Sequence, residues 1–316
     1  MTSEWAGILA TLGAQVLQRD WLSANQVVFV DGGAQAPATV VDTGYARHAG
    51  MTLDLVGHAL AARPLGRIVN THLHSDHCGG NRALQERYPD AVTLVPTPSL
   101  APASAWDEER LTYRLTGQQC DRFRVDGGLA PGSSFLLGPT EWQVHAAPGH
   151  DPDAVLLFEP QTRTLISGDA LWEDRLAIIF PELFGEDGFG ATRRTLALIE
   201  SLSPRLVIPG HGAVFGDVAA ALASSRRRLD GFEKDPLRHV QHAARALVMF
   251  HMMEHQVRAR EALERWLVET PIFRLAASQA ARIAPAPARW AHELVDKLVD
   301  DGLLQAEAES VRLPTA

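Results

Sequence analysis

Residues 72 to 77 read His-Leu-His-Ser-Asp-His, directly after the apolar stretch Arg67-Ile68-Val69-Asn70. Three imidazoles and a carboxylate inside six residues repel protons and one another unless something positive sits between them. Imidazole with carboxylate suits zinc, iron or manganese. On an extended segment His72, His74 and Asp76 point one way by period two, so the chain must turn at Asp76-His77 for His77 to join from another side. Cys78-Gly79-Gly80-Asn81 supplies that turn chemistry.

Three further places put a ligand-type residue at the end of a strand-like run. Pro148-Gly149-His150 follows the alternating run Trp142 to His145, Ser167-Gly168-Asp169 follows Thr164-Leu165-Ile166, and Pro209-Gly210-His211-Gly212 follows Leu206-Val207-Ile208. Any one alone reads as a cap or turn residue. Together with the first cluster they read as one metal site.

This His-x-His-x-Asp-His run, then a lone His, then Asp, then a lone His, resembles the metallo-β-lactamase-fold superfamily of hydrolases over about residues 25 to 215. The resemblance implies that His72, His74 and His150 hold one metal, that Asp76, His77 and His211 hold the other, and that Asp169 bridges them. It also points to a branch. One group of true β-lactamases has Cys at the bridging position and another keeps no bridging carboxylate, whereas glyoxalase II-like and lactonase-like members have Asp.

Composition bounds the partners. The 316 residues are 46% hydrophobic, enough for a substantial core in one large or two smaller domains. A net charge of −9 disfavours nucleic acid, whose binding depends on basic surface. Only Cys78 and Cys120 are cysteine, too few for a disulfide framework, and Cys78 reads as a packed thiol. Residues 1–10 lack the basic opening and long apolar core of a secretory signal. No apolar run approaches the ~18 residues that span a bilayer. The expectation is a soluble cytoplasmic protein with no membrane partner.

Runs Val27 to Val30 and Thr39 to Asp42 read as a hairpin-like pair around Asp-Gly-Gly, and His48 to Arg63 has helical spacing. Arg67 to Thr71, Ala91 to Val95, Phe123 to Val125, Trp142 to Ala146, Ala154 to Phe158, Thr164 to Ser167 and 205 to 208 read as strands, 191 to 202 as a helix, and Pro-rich 96 to 105 as a loop. Unaided, the pattern gives a layered α/β or α+β protein. The resemblance implies a four-layer αβ/βα sandwich with metals at one edge.

From about residue 217 the chain turns helical, placing a boundary between a catalytic domain at 1–216 and a helical region at 217–316. Asp217 to Glu233, Leu237 to Arg258 and Glu261 to Val268 carry apolar residues at three- and four-residue spacing. Pro287 to Leu304 resembles the last helix and wing of a winged-helix module, giving a winged-helix-like stretch at 260–316. Its charges, Glu293, Asp296, Asp300 and Asp301 against Lys297 and Arg289, repel phosphates. A lid or a homodimer contact through these helices is the expectation. His251 to His255 spells His-x-x-Glu-His, shared with some zinc peptidases, and reads as core or surface histidines. Arg226-Arg227-Arg228 reads as a solvated helix face, with the holding of an anionic carrier such as a coenzyme A phosphate as its alternative.

These readings converge on a binuclear hydrolase of a small-molecule thioester, ester or lactone. Two divalent ions, zinc or else iron or manganese, roughly 3.5–4 Å apart would bring the pKa of a bridging water toward ~7 and make hydroxide at neutral pH. Asp76 and Asp169 are the catalytic carboxylates, Asp76 orienting the hydroxide or passing a proton. No Gly-x-Ser-x-Gly elbow is present. Trp172, Ile178, Ile179, Phe180 and Phe184 form an apolar loop that either lines an acyl pocket or covers the sandwich. The rival classes are a single-iron oxygenase of the persulfide dioxygenase type and a non-catalytic metal-binding sensor or scaffold. Flavin-linked diiron reductases carry Glu where this chain has His74.

Overall fold

The computed structural model describes residues 3–30, 36–280 and 286–314. α1 (Ser3–Thr11) leads into β1 (Ala14–Leu17), β2 (Gln26–Phe29) and β3 (Ala38–Val41). The Asp-Gly-Gly between the second and third strands lies outside the described residues, but those strands do pair antiparallel. There follow α2 (Ala49–Leu60), β4 (Leu65–Val69), α3 (Ser75–Cys78), α4 (Asn81–Arg87), β5 (Val92–Pro96), α5 (Leu100–Ala105), α6 (Tyr113–Thr116) and β6 (Gly127–Leu129). The six strands make one sheet in sequence order, parallel from β3 onward.

The second sheet is built from β7 (Ser134–Leu137), β8 (Thr140–Ala146), β9 (Val155–Glu159) and β10 (Thr164–Gly168). After α7 (Phe180–Leu183) and α8 (Gly188–Leu202), β11 (Leu206–Pro209) adds parallel to β10, giving the order β11-β10-β9-β8-β7.

Period-two side-chain alternation sorts these strands into layers. Val27, Phe29, Val41 and Val69 of the first sheet share a core with Trp142, Val144, Leu157, Ile166 and Ile208 of the second. Their neighbours Val28, Val40 and Ile68 face outward onto Val56, Leu60 and Leu84 of α2 and α4. On the far side Leu156, Leu165 and Val207 pack on Leu196 and Ile199 of α8. The result is helix, sheet, sheet, helix, the four-layer sandwich. Strands covered on both faces read as near-continuous apolar runs, as Leu165-Ile166 and Leu206-Val207-Ile208 do, and each such side chain contributes about 1.5–3 kcal/mol when fully buried.

α9 (Val218–Lys234) is capped by Asp217, whose carboxylate accepts from the Ala220 amide at 3.0 Å, and its apolar face joins the α8 core. α10 (Pro236–His255), β12 (Val257–Ala259), α11 (Arg260–Glu269), α12 (Pro271–Ala280), α13 (Pro287–Asp300), β13 (Gln305–Glu307) and β14 (Ser310–Arg312) follow. The helices from α10 onward surround their own cluster of Val240, Leu247, Met252, Leu267, Phe273 and Val295. β12, which precedes α11, pairs with β14 and β14 with β13 in a three-stranded antiparallel sheet. No helix among the described residues is long and apolar enough to cross a membrane.

Two local expectations fail for physical reasons. Residues 96 to 105 are not a loop: a 3-10 turn at Thr97–Ser99 runs into α5, and Pro98 and Pro102 sit in the first turns of these elements, where a missing N–H costs nothing. Phe123 to Val125 is not a strand, because the Gln85 side chain takes the place of a neighbouring strand. Its Oε1 accepts from the Arg124 amide at 2.9 Å and its Nε2 donates to the Arg124 carbonyl at 2.6 Å.

Candidate metal centre

Seven side chains meet at the edge where β4, β8, β10 and β11 end. His72, His74 and His150 form one group, and Asp76, His77, Asp169 and His211 a second, the ligand atoms within each group lying within 4.8 Å of one another. All but His150 are buried, and His150 is half-buried. The period-two reading holds for His72 and His74 but fails for Asp76. α3 starts at Ser75, one residue before the anticipated turn, and helical geometry swings Asp76 into the second group beside His77. Cys78 closes that short helix and Asn81 opens the next, so the glycines between them join two helices.

In the first group His74 Nδ1 lies 2.7 Å from His150 Nε2 and 3.1 Å from His72 Nε2. The tautomers are set from behind. The Ile178 carbonyl takes the Nδ1 proton of His150 at 2.5 Å, and Thr71 Oγ1 lies 3.2 Å from His72 Nδ1. Burial, reinforced by the other imidazoles, lowers the pKa of His72 far below its ordinary value. Burial and then His150 bring His74 down to about 3. Three neutral ring nitrogens turned on one point form a cation's donor set.

Carboxylates dominate the second group. Although burial opposes it, Asp169, Asp42 and Asp76 raise the pKa of His77 well above its usual value. Asp169 is held well below the ordinary carboxylate range by His77 and His211 against the opposing effect of burial. His77 Nδ1 donates to Asp42 Oδ2 at 2.8 Å, while its buried Nε2 has no hydrogen-bond partner among the described residues. His211 Nε2 lies 3.0 Å from Asp76 Oδ2, and its Nδ1 is likewise buried without a partner. An orphaned buried His77 Nε2 facing Asp169, beside a His211 Nε2 turned to Asp76, fits a divalent ion.

Asp169 touches both groups. Its Oδ1 is 3.3 Å from His77 Nε2 and its Oδ2 is 3.4 Å from His150 Nε2 and 3.9 Å from His211 Nε2. Gly210 makes this approach feasible, since a Cβ there would stand 2.2 Å from Asp169 Oδ1.

Several contributors lack a sequence signal or had a weak one. Asp42 follows β3 as Asp169 follows β10, a strand-end carboxylate that sequence reasoning left in the strand. Asn25 holds the His211 loop by donating to the carbonyls of Pro209 and Gly212 at 3.0 and 2.8 Å. Trp21 stacks on the His211 ring at 5.2 Å. Asp151 Oδ2 lies 3.5 Å from His74 Nε2. Within the apolar loop Trp172 donates to Asp169 Oδ1 at 3.1 Å and Phe180 meets the His74 ring at 4.8 Å, whereas Ile179 faces the sandwich core and Phe184 the helical cluster.

His251, Glu254 and His255 come together as a third group, separate from the other two. His251 stacks on Trp266 at 3.8 Å and Glu254 accepts from the Tyr45 hydroxyl at 2.9 Å. Cys78 is buried, with its thiol against the Leu73 and His74 carbonyls, the packed thiol that was expected.

Residues 19–211 match the family model described as metallo-beta-lactamase superfamily. A hydroxyacylglutathione hydrolase of Synechococcus sp. is 30% identical over 161 residues, half of this chain and 53% of that protein. The chain thus spans about half the length of that relative. The human acyl-coenzyme A thioesterase MBLAC2 is 27% identical over 195 residues, 56% of this chain and 70% of that protein. Among solved structures, a metallo-beta-lactamase family protein of Thermus thermophilus superposes with a TM-score of 0.52 at 18% identity, covering 96% of this chain and 99% of its own. The BLEG-1 B3 metallo-beta-lactamase superposes with a TM-score of 0.54 at 21% identity, over 66% of this chain and 96% of its own. With a family model matched across more than half its length and a helical C-terminal region after the sandwich, the chain belongs to the metallo-beta-lactamase superfamily.

Proposed function

We propose that this chain is a binuclear metal-dependent hydrolase of small-molecule thioesters, with zinc as its metal. The observation that carries the reading is the position of Asp169, one carboxylate with an oxygen turned to each group of ligands. Relatives named for cleaving hydroxyacylglutathione and acyl-coenzyme A support a thioester over a lactone or simple ester.

His72, His74 and His150 would hold one ion and Asp76, His77 and His211 the other, with Asp169 shared. Bound there, two divalent ions supply an activated water and polarise the carbonyl oxygen. The chain's own groups orient that chemistry. Asp42 and the Ile178 carbonyl each hold a histidine Nδ1 proton, leaving the Nε2 lone pairs of His77 and His150 turned inward. Trp172 fixes the Asp169 carboxylate, and Trp21 and Trp172 shield His211 from water. Asp76, whose Oδ2 lies 3.0 Å from His211 Nε2, would orient that water or take up its proton. The net charge of −9 and the acidic charges on α13 support a small-molecule substrate over nucleic acid.

The test is turnover of S-acylglutathione, acyl-coenzyme A and a lactone by the zinc-loaded protein beside Asp169→Asn. Thioester cleavage that falls by two or more orders of magnitude in the variant is expected. A fully metallated protein that turns over none of them contradicts the reading and leaves a metal-binding scaffold.

A further inference from the structure

An open cleft of about 550 Å³ lies between α9 and α10. Arg227 and Arg228 line it from α9, and Arg238, His242 and Arg245 from α10. No carboxylate lines it, in a chain whose net charge is −9. The acids nearby are engaged elsewhere: Glu200 holds Arg226, and Asp230 and Glu233 hold Arg193. Within the cleft Arg245 is paired with Asp301 at 2.5 Å, and Arg228 donates to the Asp174 carbonyl at 2.8 Å. Arg227 and Arg238 have no ion-pair partner among the described residues.

Arg227 and Arg238, which lack an acid of their own, are met by an anion able to take several forked hydrogen bonds at once. Phosphate oxygens have that geometry. The cleft also offers an aromatic edge. The Phe232 ring lies 5.5 Å from that of His242, tilted by 32°, and a heterocyclic base can stack on such a surface.

The cleft and the metal centre share a wall. His242 is bonded to the Leu176 backbone, and one turn earlier on α10 His239 Nε2 accepts from the Ile179 amide at 3.1 Å. The intervening Ile178 carbonyl is the group that holds His150. Segment 174–179 therefore has a metal-ligand histidine on one side and the arginine cleft on the other.

We propose that this cleft binds the phosphates of a nucleotide-bearing acyl carrier of the coenzyme A class, whose flexible arm carries the thioester past segment 174–179 to the metal centre. The proposal rests on the thioester-hydrolase reading and narrows its substrate. Glutathione has neither phosphate nor base and leaves these arginines without a use.

Isothermal titration of the zinc-loaded protein with coenzyme A, pantetheine and glutathione tests it, in wild type and in R227A/R238A. Both arginines are exposed, so the substitutions spare the core. Coenzyme A should bind far more tightly than pantetheine or glutathione. The double variant should weaken coenzyme A about a hundredfold, roughly tenfold per lost charged contact. Its preference for coenzyme A thioesters over pantetheine thioesters, compared as kcat/KM, should collapse toward unity. Equal affinity for coenzyme A and pantetheine, or wild-type affinity in the double variant, overturns the assignment. Binding needs no turnover, so the two readings separate. Coenzyme A captured in an arginine-dependent way without hydrolysis contradicts the proposed activity alone, and thioester hydrolysis without such capture contradicts the cleft alone.

Discussion

Asp42 Oδ2 accepts from His77 Nδ1 at 2.8 Å, and the same carboxylate takes the Thr71 hydroxyl at 2.8 Å and the Thr71 amide at 2.9 Å. One side chain thus ties the loop after β4 to the histidine it presents. Its three donors leave no room for an amide NH₂. Asp42→Asn should lower metal affinity roughly 10–100-fold, measured by competition with a chromophoric chelator. Unchanged affinity would show that the contact does not orient His77.

Asp76 accompanies His77 in α3 and lies 3.0 Å from His211 Nε2 through Oδ2. If it takes the proton from the nucleophile, Asp76→Asn should cut kcat on a thioester by about 10²-fold or more while metal is retained. Steady-state rates normalised to metal content decide this, and an unaltered kcat removes Asp76 from the chemistry.

The sequence makes the seven residues at the centre legible because each follows an apolar strand, and a strand's end is where a sandwich gathers side chains from distant parts of the chain. The strands are legible because both faces of β9, β10 and β11 are buried, leaving unbroken apolar runs. Period two could not anticipate Asp76, whose direction depends on where α3 starts. Asp42 looks like any strand-end residue until His77 is placed beside it. Trp21 over His211, and Tyr45 bonded to Glu254 across 209 positions, are products of tertiary packing that no local pattern encodes.

That Tyr45 bond joins the sandwich to α10. Burial, then Glu254, raises the phenol's pKa, so it remains a donor at every working pH. Tyr45→Phe leaves the Glu254 carboxylate without this partner and should cost about 1–3 kcal/mol. The urea midpoint reports it, and an unshifted midpoint would make the bond dispensable.

His239 introduces a pH dependence in the acid range. Burial, followed by His242, brings its pKa down to about 4, and its Nε2 must stay unprotonated to accept from the Ile179 amide. Above about pH 6.5 the ring is neutral in folded and unfolded chains alike. As pH falls from 6.5 toward 4 the unfolded chain takes up a proton that the folded one refuses, so stability falls by up to about 3 kcal/mol. Denaturation midpoints at pH 7 and pH 5 should diverge less in His239→Gln, and an identical divergence would assign the effect to other groups.

The central claim is that seven residues hold two ions with Asp169 between them, and metal content tests it most directly. Purified without added metal and measured by inductively coupled plasma mass spectrometry, the wild type should carry about two divalent ions per chain, and Asp169→Ala clearly fewer. A single iron would contradict the binuclear centre in favour of an oxygenase, and no metal even after reconstitution would contradict the site itself.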